Sequence, residues 1–186
     1  MIPTLVILGV VVVLILIFIG MYNGLVRGRN EVKNAWAQID VQLKRRHDLI
    51  PNLIETTKGY MVHERETFDS IAKARSAAQS AVGTGVAAQA AAEGQLSGFL
   101  TRFMAVAENY PELKANQNFL ALQEELASTE NKISFARQYY NDAVLKFNTA
   151  CQTIPTNIVA GMGGFAAAEF FEVKDEAERA APQVKF

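Results

Sequence analysis

The chain has 186 residues, half of them hydrophobic, with 18 basic and 19 acidic side chains and a formal net charge of −1. That balance excludes a protein that binds polyanions through overall charge, so no nucleic-acid partner is expected. The lone cysteine, Cys151, excludes an intrachain disulfide framework and leaves the redox compartment undetermined.

The first predicted element is a membrane span. Ile2 to Met21 is almost wholly aliphatic and the first charged side chain is Arg27. About 20 residues at 1.5 Å each reach across roughly 30 Å of hydrocarbon. No basic side chain precedes the run and no A-x-A pattern follows it, so residues 1–26 read as an uncleaved anchor rather than a signal peptide. Gly20, Gly24 and Gly28 recur at four-residue intervals, two small-xxx-small steps that let helix backbones approach closely. A flexible exit from the bilayer is the alternative reading of the same glycines. Arg27, Arg29 and Lys33 follow at once. They suit contact with lipid headgroups, at about 1 kcal/mol per residue near an anionic surface. By the positive-inside bias they also place the soluble body in the cytoplasm.

Beyond the span, apolar or small residues recur at Val32, Trp36, Ile39 and Leu43, then at Ile50, Leu53, Thr57, Phe68 and Ile71. With Ile54 as the alternative to Leu53, and Tyr60 or Met61 between Thr57 and Phe68, the three- and four-residue steps are those of one helix face. Pro51 removes a backbone donor and disfavours helical geometry at Ile50, so a kink or short break is predicted near Asp48–Pro51. If the helix resumes, Arg27 to Ala78 is about 75 Å long. Lys44, Arg45 and Arg46 lie roughly 25 Å from the first basic cluster, beyond a Debye length from the bilayer. They are expected to form surface ion pairs or to meet a neighbouring subunit.

Gly83 and Gly85 mark a turn, and an Ala-rich helix follows with a stripe at Leu96, Phe99, Leu100, Phe103 and Val106. Tyr110-Pro111 ends it and Pro111 suits the first turn of the next helix. The most regular pattern runs from Phe119 through Leu122, Leu126, Thr129, Ile133, Ala136, Tyr140, Ala143 and Phe147 to Ala150, stopped by Pro155. It reads as a coiled-coil-like bundle helix. From Phe147 to Ala168 no residue is charged. Phe165, Phe170 and Phe171 lie in or just after this stretch, which either docks on the bundle or makes an interfacial or inter-subunit contact. An acidic tail closes the chain, with Glu169, Glu172, Asp175, Glu176 and Glu178 against Lys174 and Arg179.

The predicted fold is therefore all-α: a single N-terminal transmembrane helix followed by a long antiparallel four-helix, coiled-coil-like bundle. The expected division is an anchor over 1–26, a bundle over 27–155 and an apolar-aromatic C-terminal segment with its tail over 156–186.

Chemistry is not evident. His47 and His63 are the two histidines and neither belongs to an H-E-x-x-H or Glu-x-x-His arrangement. The glycines at 83 and 85 lack the Lys-Ser/Thr tail of a phosphate loop. No catalytic, cofactor-binding or metal-binding residue is assigned, no cofactor is expected, and an enzyme built on His63 or Cys151 is disfavoured.

Three stretches carry a resemblance: Tyr22–Glu64, containing RGRNEVKNAWAQIDVQLKRRHDLIPN; Glu108–Asn148, opening ENYPELKANQNF; and the IPTN…FF ending. Their wording resembles the LemA family of bacterial membrane proteins. The resemblance falls on Tyr22, Asn23, Arg29 and Asn30 at the membrane exit, and on Trp36, Asp40, Arg45, Arg46, Pro51 and Tyr60 along the first long helix. Further on it falls on Tyr110, Pro111, Asn116, Glu130, Arg137, Tyr140, Asn141 and Asn148. It implies an N-terminal anchor with a helical bundle in the bacterial inner membrane, and no catalytic activity or cofactor. Some relatives are linked to magnetosome membrane formation, which by analogy implies a role in membrane organisation. Asp40, Arg137, Asn141 and Asn148 sit beside seam positions and are expected to form a polar network that fixes register. The reading is a non-enzymatic, self-associating membrane scaffold whose partners are the lipid bilayer and further copies of itself. The alternative is an adaptor that presents a protein partner to a membrane protease or sensor kinase.

Overall fold

A computed structural model describes residues 2–172. Asp175, Glu176 and Glu178 of the acidic tail, with Lys174 and Arg179, lie outside the described residues. Six helices account for most of the rest: α1 (Ile2–Lys58), α2 (Arg65–Ser80), α3 (Val86–Ala107), α4 (Pro111–Lys114), α5 (Gln117–Gln152) and α6 (Thr156–Met162). No strand occurs among the described residues, so the all-α expectation holds.

The chain divides into two units, residues 1–39 with 136–169, and residues 40–135 with 170–186. In the first unit, residues 3–20 of α1 are exposed without exception. This stretch has a mean hydropathy of 3.2 over its most apolar window and is long and apolar enough to cross a membrane. Further along, Trp36 meets Tyr140 edge-on at 5.2 Å and Gly28 lies under Phe147. As numbers rise along α5 they fall along α1, so the two segments run antiparallel. After α6 the chain lies back along α5. The Asn148 amide donates to the Ala168 carbonyl at 2.9 Å and accepts from the Ala168 N–H at 2.8 Å. The Tyr140 hydroxyl donates to the Glu169 carbonyl at 2.8 Å. Non-helical backbone thus finds its partners in α5 side chains, as buried peptide groups require.

In the second unit α1, α2, α3 and α5 share an apolar core that includes Ile50, Leu53, Met61, Ile71, Leu96 and Phe103, each fully buried. Phe68 of α2 meets Phe103 of α3 at 6.0 Å. Two junction expectations need correction. Pro51 does not interrupt α1. A proline at 51 leaves the carbonyl four residues back without its helical donor, and Arg75 Nε supplies a donor to the His47 carbonyl at 2.8 Å instead. The first long helix also does not extend to Ala78; it ends at Lys58. The Thr57 carbonyl accepts from both the Tyr60 and Met61 N–H groups, and the Met61 side chain turns into the core.

The remaining boundaries follow local chemistry. Gly83 and Gly85 occupy the positive-φ region (81° and 124°) that lets the chain turn from α2 into α3. Pro111 opens α4. Asn116 caps α5, its side-chain oxygen accepting from the Asn118 and Phe119 N–H groups. Along α5, Phe119, Leu126, Thr129, Ile133, Tyr140, Ala143 and Phe147 are buried, in the phase expected from the three-four spacing.

Candidate functional site

Two constellations stand out, one in each unit. In the first, α1 leaves its apolar stretch at Met21 and the next residue, Tyr22, meets the Phe165 ring edge-on at 5.6 Å. Phe165 also faces Phe147 at 6.4 Å, and the Arg29 guanidinium lies over its ring at 5.0 Å. Four side chains from α1, α5 and the segment after α6 thereby close around the membrane exit. Cation–π pairs of this kind contribute about 0.5–1 kcal/mol where exposed, more where dry.

The glycine series divides at this point. A Cβ on Gly28 would stand 3.2 Å from Phe147 Cδ2, so α5 of the same chain occupies that face. Gly20 and Gly24 have nothing within 4 Å of where a Cβ would be. Arg27 and Lys33 are exposed, like Arg29. Of the three aromatics that either dock on the bundle or serve as candidates for an outer contact, Phe165 and Phe171 are buried at 9% and 2% exposure, whereas Phe170 is 38% exposed. Burial within the chain withdraws the first two from any contact surface.

The second constellation corrects the reading of the Lys44-Arg45-Arg46 run. Lys44 and Arg45 are exposed and form surface pairs with Asp48 (3.1 Å) and Glu125 (2.5 Å). Arg46 is not a surface residue: it is 1% exposed. Its Nη2 pairs with Glu93, and its Nη1 donates to Glu130 Oε2 at 2.8 Å and to Ser97 Oγ at 2.7 Å. His47 Nε2 approaches the other Glu93 oxygen at 3.0 Å. Glu93 and His47 are themselves 3% and 4% exposed. Burial by itself would push the Glu93 carboxyl up; the His47 hydrogen bond and the Arg46 charge outweigh it and hold the carboxyl below its ordinary value. The Ser97 hydroxyl in turn donates a hydrogen bond to Glu130 Oε1 at 3.2 Å. Arg46 thus answers both Glu93 and Glu130, while its Nε has no hydrogen-bond partner, and burial makes each remaining pair costly to break.

Beside it, Asp40 accepts from Gln89 Nε2 at 3.2 Å, and both line a cleft of about 400 Å³ with Lys44 and His47. Burial raises the Asp40 carboxyl, against the Gln89 hydrogen bond, and the nearby Glu93 charge raises it further. Two members of the expected polar network have their partners in view. Asp40 pairs with Gln89, while Asn148 holds the backbone of Ala168.

Sequence reasoning missed Glu93 and Arg75. Glu93 had a signal: it sits in phase with Leu96, Leu100 and Phe103 on the apolar stripe of α3, as Arg46 does with Leu43, Ile50 and Leu53 on α1. Two opposite charges on facing stripes are complementary. The arrangement can hold helices in register, and the Ser97 hydroxyl is engaged at both ends.

The sequence profile of the LemA family matches residues 35–186. Protein LemA of Metamycoplasma hominis is 28% identical over an alignment covering 77% of this chain and 65% of that protein. Magnetosome protein MamQ 2 of Paramagnetospirillum magneticum is 25% identical, and magnetosome protein MamQ of Magnetospirillum gryphiswaldense 23% identical; each alignment covers 82% of this chain and 65% of the relative. The chain therefore spans 65% of the length of these curated relatives.

Proposed function

The chain belongs to the LemA family, and from that premise we propose that it is a non-enzymatic, single-pass membrane scaffold that self-associates and organises membrane or membrane proteins. The observation that carries this reading is the apolar stretch of α1. Eighteen consecutive residues, 3–20, are exposed, far more contiguous apolar surface than a monomer keeps in water. The same helix continues to Lys58 without a break, so the anchor over residues 1–26 and the body share one element. An antiparallel four-helix arrangement of α1, α2, α3 and α5 is the body that this reading assumes.

Arg27, Arg29 and Lys33 then contact anionic headgroups on the cytoplasmic face of a bacterial inner membrane. Gly20 and Gly24, whose faces are open, are the positions at which spans of two copies pack. Lys44, Arg45 and Phe170, which remain exposed, are the body's candidates for contact between copies or with another membrane protein.

Particle imaging of the full chain in native-like lipid tests this: closed or extended assemblies are expected. Light scattering of a detergent-extracted monomer across concentrations and mild detergents would overturn self-association. Release of the chain from membranes by alkaline carbonate would overturn anchoring. Alkaline phosphatase activity from a fusion after Phe186 would reverse the orientation.

A further inference from the structure

The most exposed apolar side chains near the membrane exit are not phenylalanines. Ile154 is 79% exposed, Ile158 61% and Met162 74%. Ile158 and Met162, spaced by four, share one face of α6, and Ile154 lies in the turn that leads into it. The opposite face is satisfied, since Val159 and Ala160 are buried at 2% each. Charge is absent throughout this stretch, from Phe147 to Ala168.

Its place follows from contacts within the first unit. Tyr140 stands by Trp36 and Phe147 by Gly28, so α5 runs toward the apolar stretch. From Gly28 to Tyr22 is about 9 Å along α1, and Phe147 to Gln152 covers about 7.5 Å of the same descent. Phe165, which follows α6, then touches Tyr22 itself. α6 is thus fastened beside Tyr22, with its exposed apolar face outward and the Arg29 guanidinium over the Phe165 ring that follows it.

We propose that Ile154, Ile158 and Met162 insert into the interfacial layer of the bilayer, making α6 a second, non-spanning membrane contact. The proposal rests on the anchoring put forward above. The occupant is lipid: the patch adjoins the emerging span and carries no charge, and the Arg29 guanidinium, suited to anionic headgroups, lies over the Phe165 ring that follows it. Two contacts, one spanning and one shallow, fix how the first unit is turned relative to the membrane plane, which a single span leaves free.

The test uses the full chain in liposomes of phosphatidylethanolamine and phosphatidylglycerol. In a Cys151→Ser background, Leu14→Cys, Asp142→Cys, Ile158→Cys and Met162→Cys are each labelled with an environment-sensitive fluorophore. All four positions are exposed. Lipids carrying a nitroxide deep or shallow in the acyl chain then act as quenchers. Expected are quenching at 14 by the deep nitroxide, at least twofold quenching at 158 and 162 by the shallow one, and none at 142. Quenching at 14 without quenching at 158 and 162 would overturn this proposal and leave the anchor standing. No quenching at 14 would remove the anchor, and this proposal with it. A blue shift at 158 and 162 that ignores lipid quenchers would mean a second copy covers the face, and would also overturn it. Circular dichroism checks each variant, and Ile154→Cys replaces any that loses helix.

Discussion

α1 and α5 contribute to both units, yet the two units are held by different chemistry. The first joins its helices through rings, with Trp36 on Tyr140 and Phe165 among Tyr22, Phe147 and Arg29, and through amide contacts such as Asn148 with Ala168. The second surrounds a buried Arg46–Glu93–His47 cluster with an apolar core. Apart from the Arg29 guanidinium, these contacts of the first unit join uncharged groups. A dry ionic cluster instead makes register in the second unit an all-or-nothing matter, because a slip strands a charge.

The largest expected effect breaks that contrast at its centre. Arg46→Met leaves Glu93 buried without its cation and should cost about 3–5 kcal/mol. Urea unfolding of the full chain in detergent, followed by circular dichroism, reads it. The Arg46→Met, Glu93→Met double variant should recover much of the loss, since an apolar replacement of both partners removes the stranded charge. A single-variant cost below about 1 kcal/mol, the level of an exposed pair, would erase the distinction between the units.

Next is Phe165→Ala, the counterpart in the first unit, with a cost of about 3 kcal/mol typical of a lost buried ring. The loss should be local. Hydrogen exchange over residues 156–169 should accelerate by tenfold or more while the core around Ile50 and Phe103 keeps its protection. Equal acceleration in both places would show that the two units open together.

Acid and alkali should separate the units in opposite directions. Glu93 is held below its ordinary 4.5, so the unfolded chain takes up that proton first as pH falls. Its contribution is complete above about pH 4.5 and is lost as pH drops through the lower folded value. Asp40 works the other way: burial raises it above 3.8, so its protonation relieves a cost. Comparing acid unfolding of the parent with Glu93→Gln isolates the first term, and the variant should show the weaker pH dependence. In the first unit, burial and then the Glu169 charge raise Tyr140 above 10.0. The contribution of its donated hydrogen bond persists below about pH 10 and is lost as pH rises through the higher folded value.

Much of this architecture is legible locally. The span, the glycine turn at 83–85, the Tyr110-Pro111 boundary and the seam of α5 each depend on neighbours in sequence, and periodicity or a fixed φ announces them. What is hidden depends on distant partners. Pro51 looks like a break until Arg75 supplies the missing donor, and Arg46 looks like a surface cation until Glu93 meets it. Both partners are more than twenty residues away. Phe165 illustrates the same limit at the membrane exit: an aromatic in an uncharged run points outward or inward according to whether Tyr22 and Phe147 wait for it. The exposed face of α6 was equally obscure, because Ile154, Ile158 and Met162 acquire meaning only once Val159 and Ala160 are seen to be buried.

The smallest effect decides how the glycines are used. In an exposed helix, replacing glycine by alanine gains about 1 kcal/mol from propensity alone. Nothing in the chain lies within 4 Å of where a Cβ on Gly24 would stand, so Gly24→Ala should raise stability by up to that amount. At Gly28 the new methyl would press on the Phe147 ring from 3.2 Å. The ring must yield by a few tenths of an ångström, and the gain should shrink to near zero or change sign. Thermal unfolding of the two variants in the same detergent gives the difference. Reversal at Gly24, with Gly24→Ala destabilising and crosslinks between spans weakened, would mean that its open face is occupied by a second span. The four-residue repeat would then serve two partners: α5 of the same chain at Gly28, and another copy at Gly20 and Gly24.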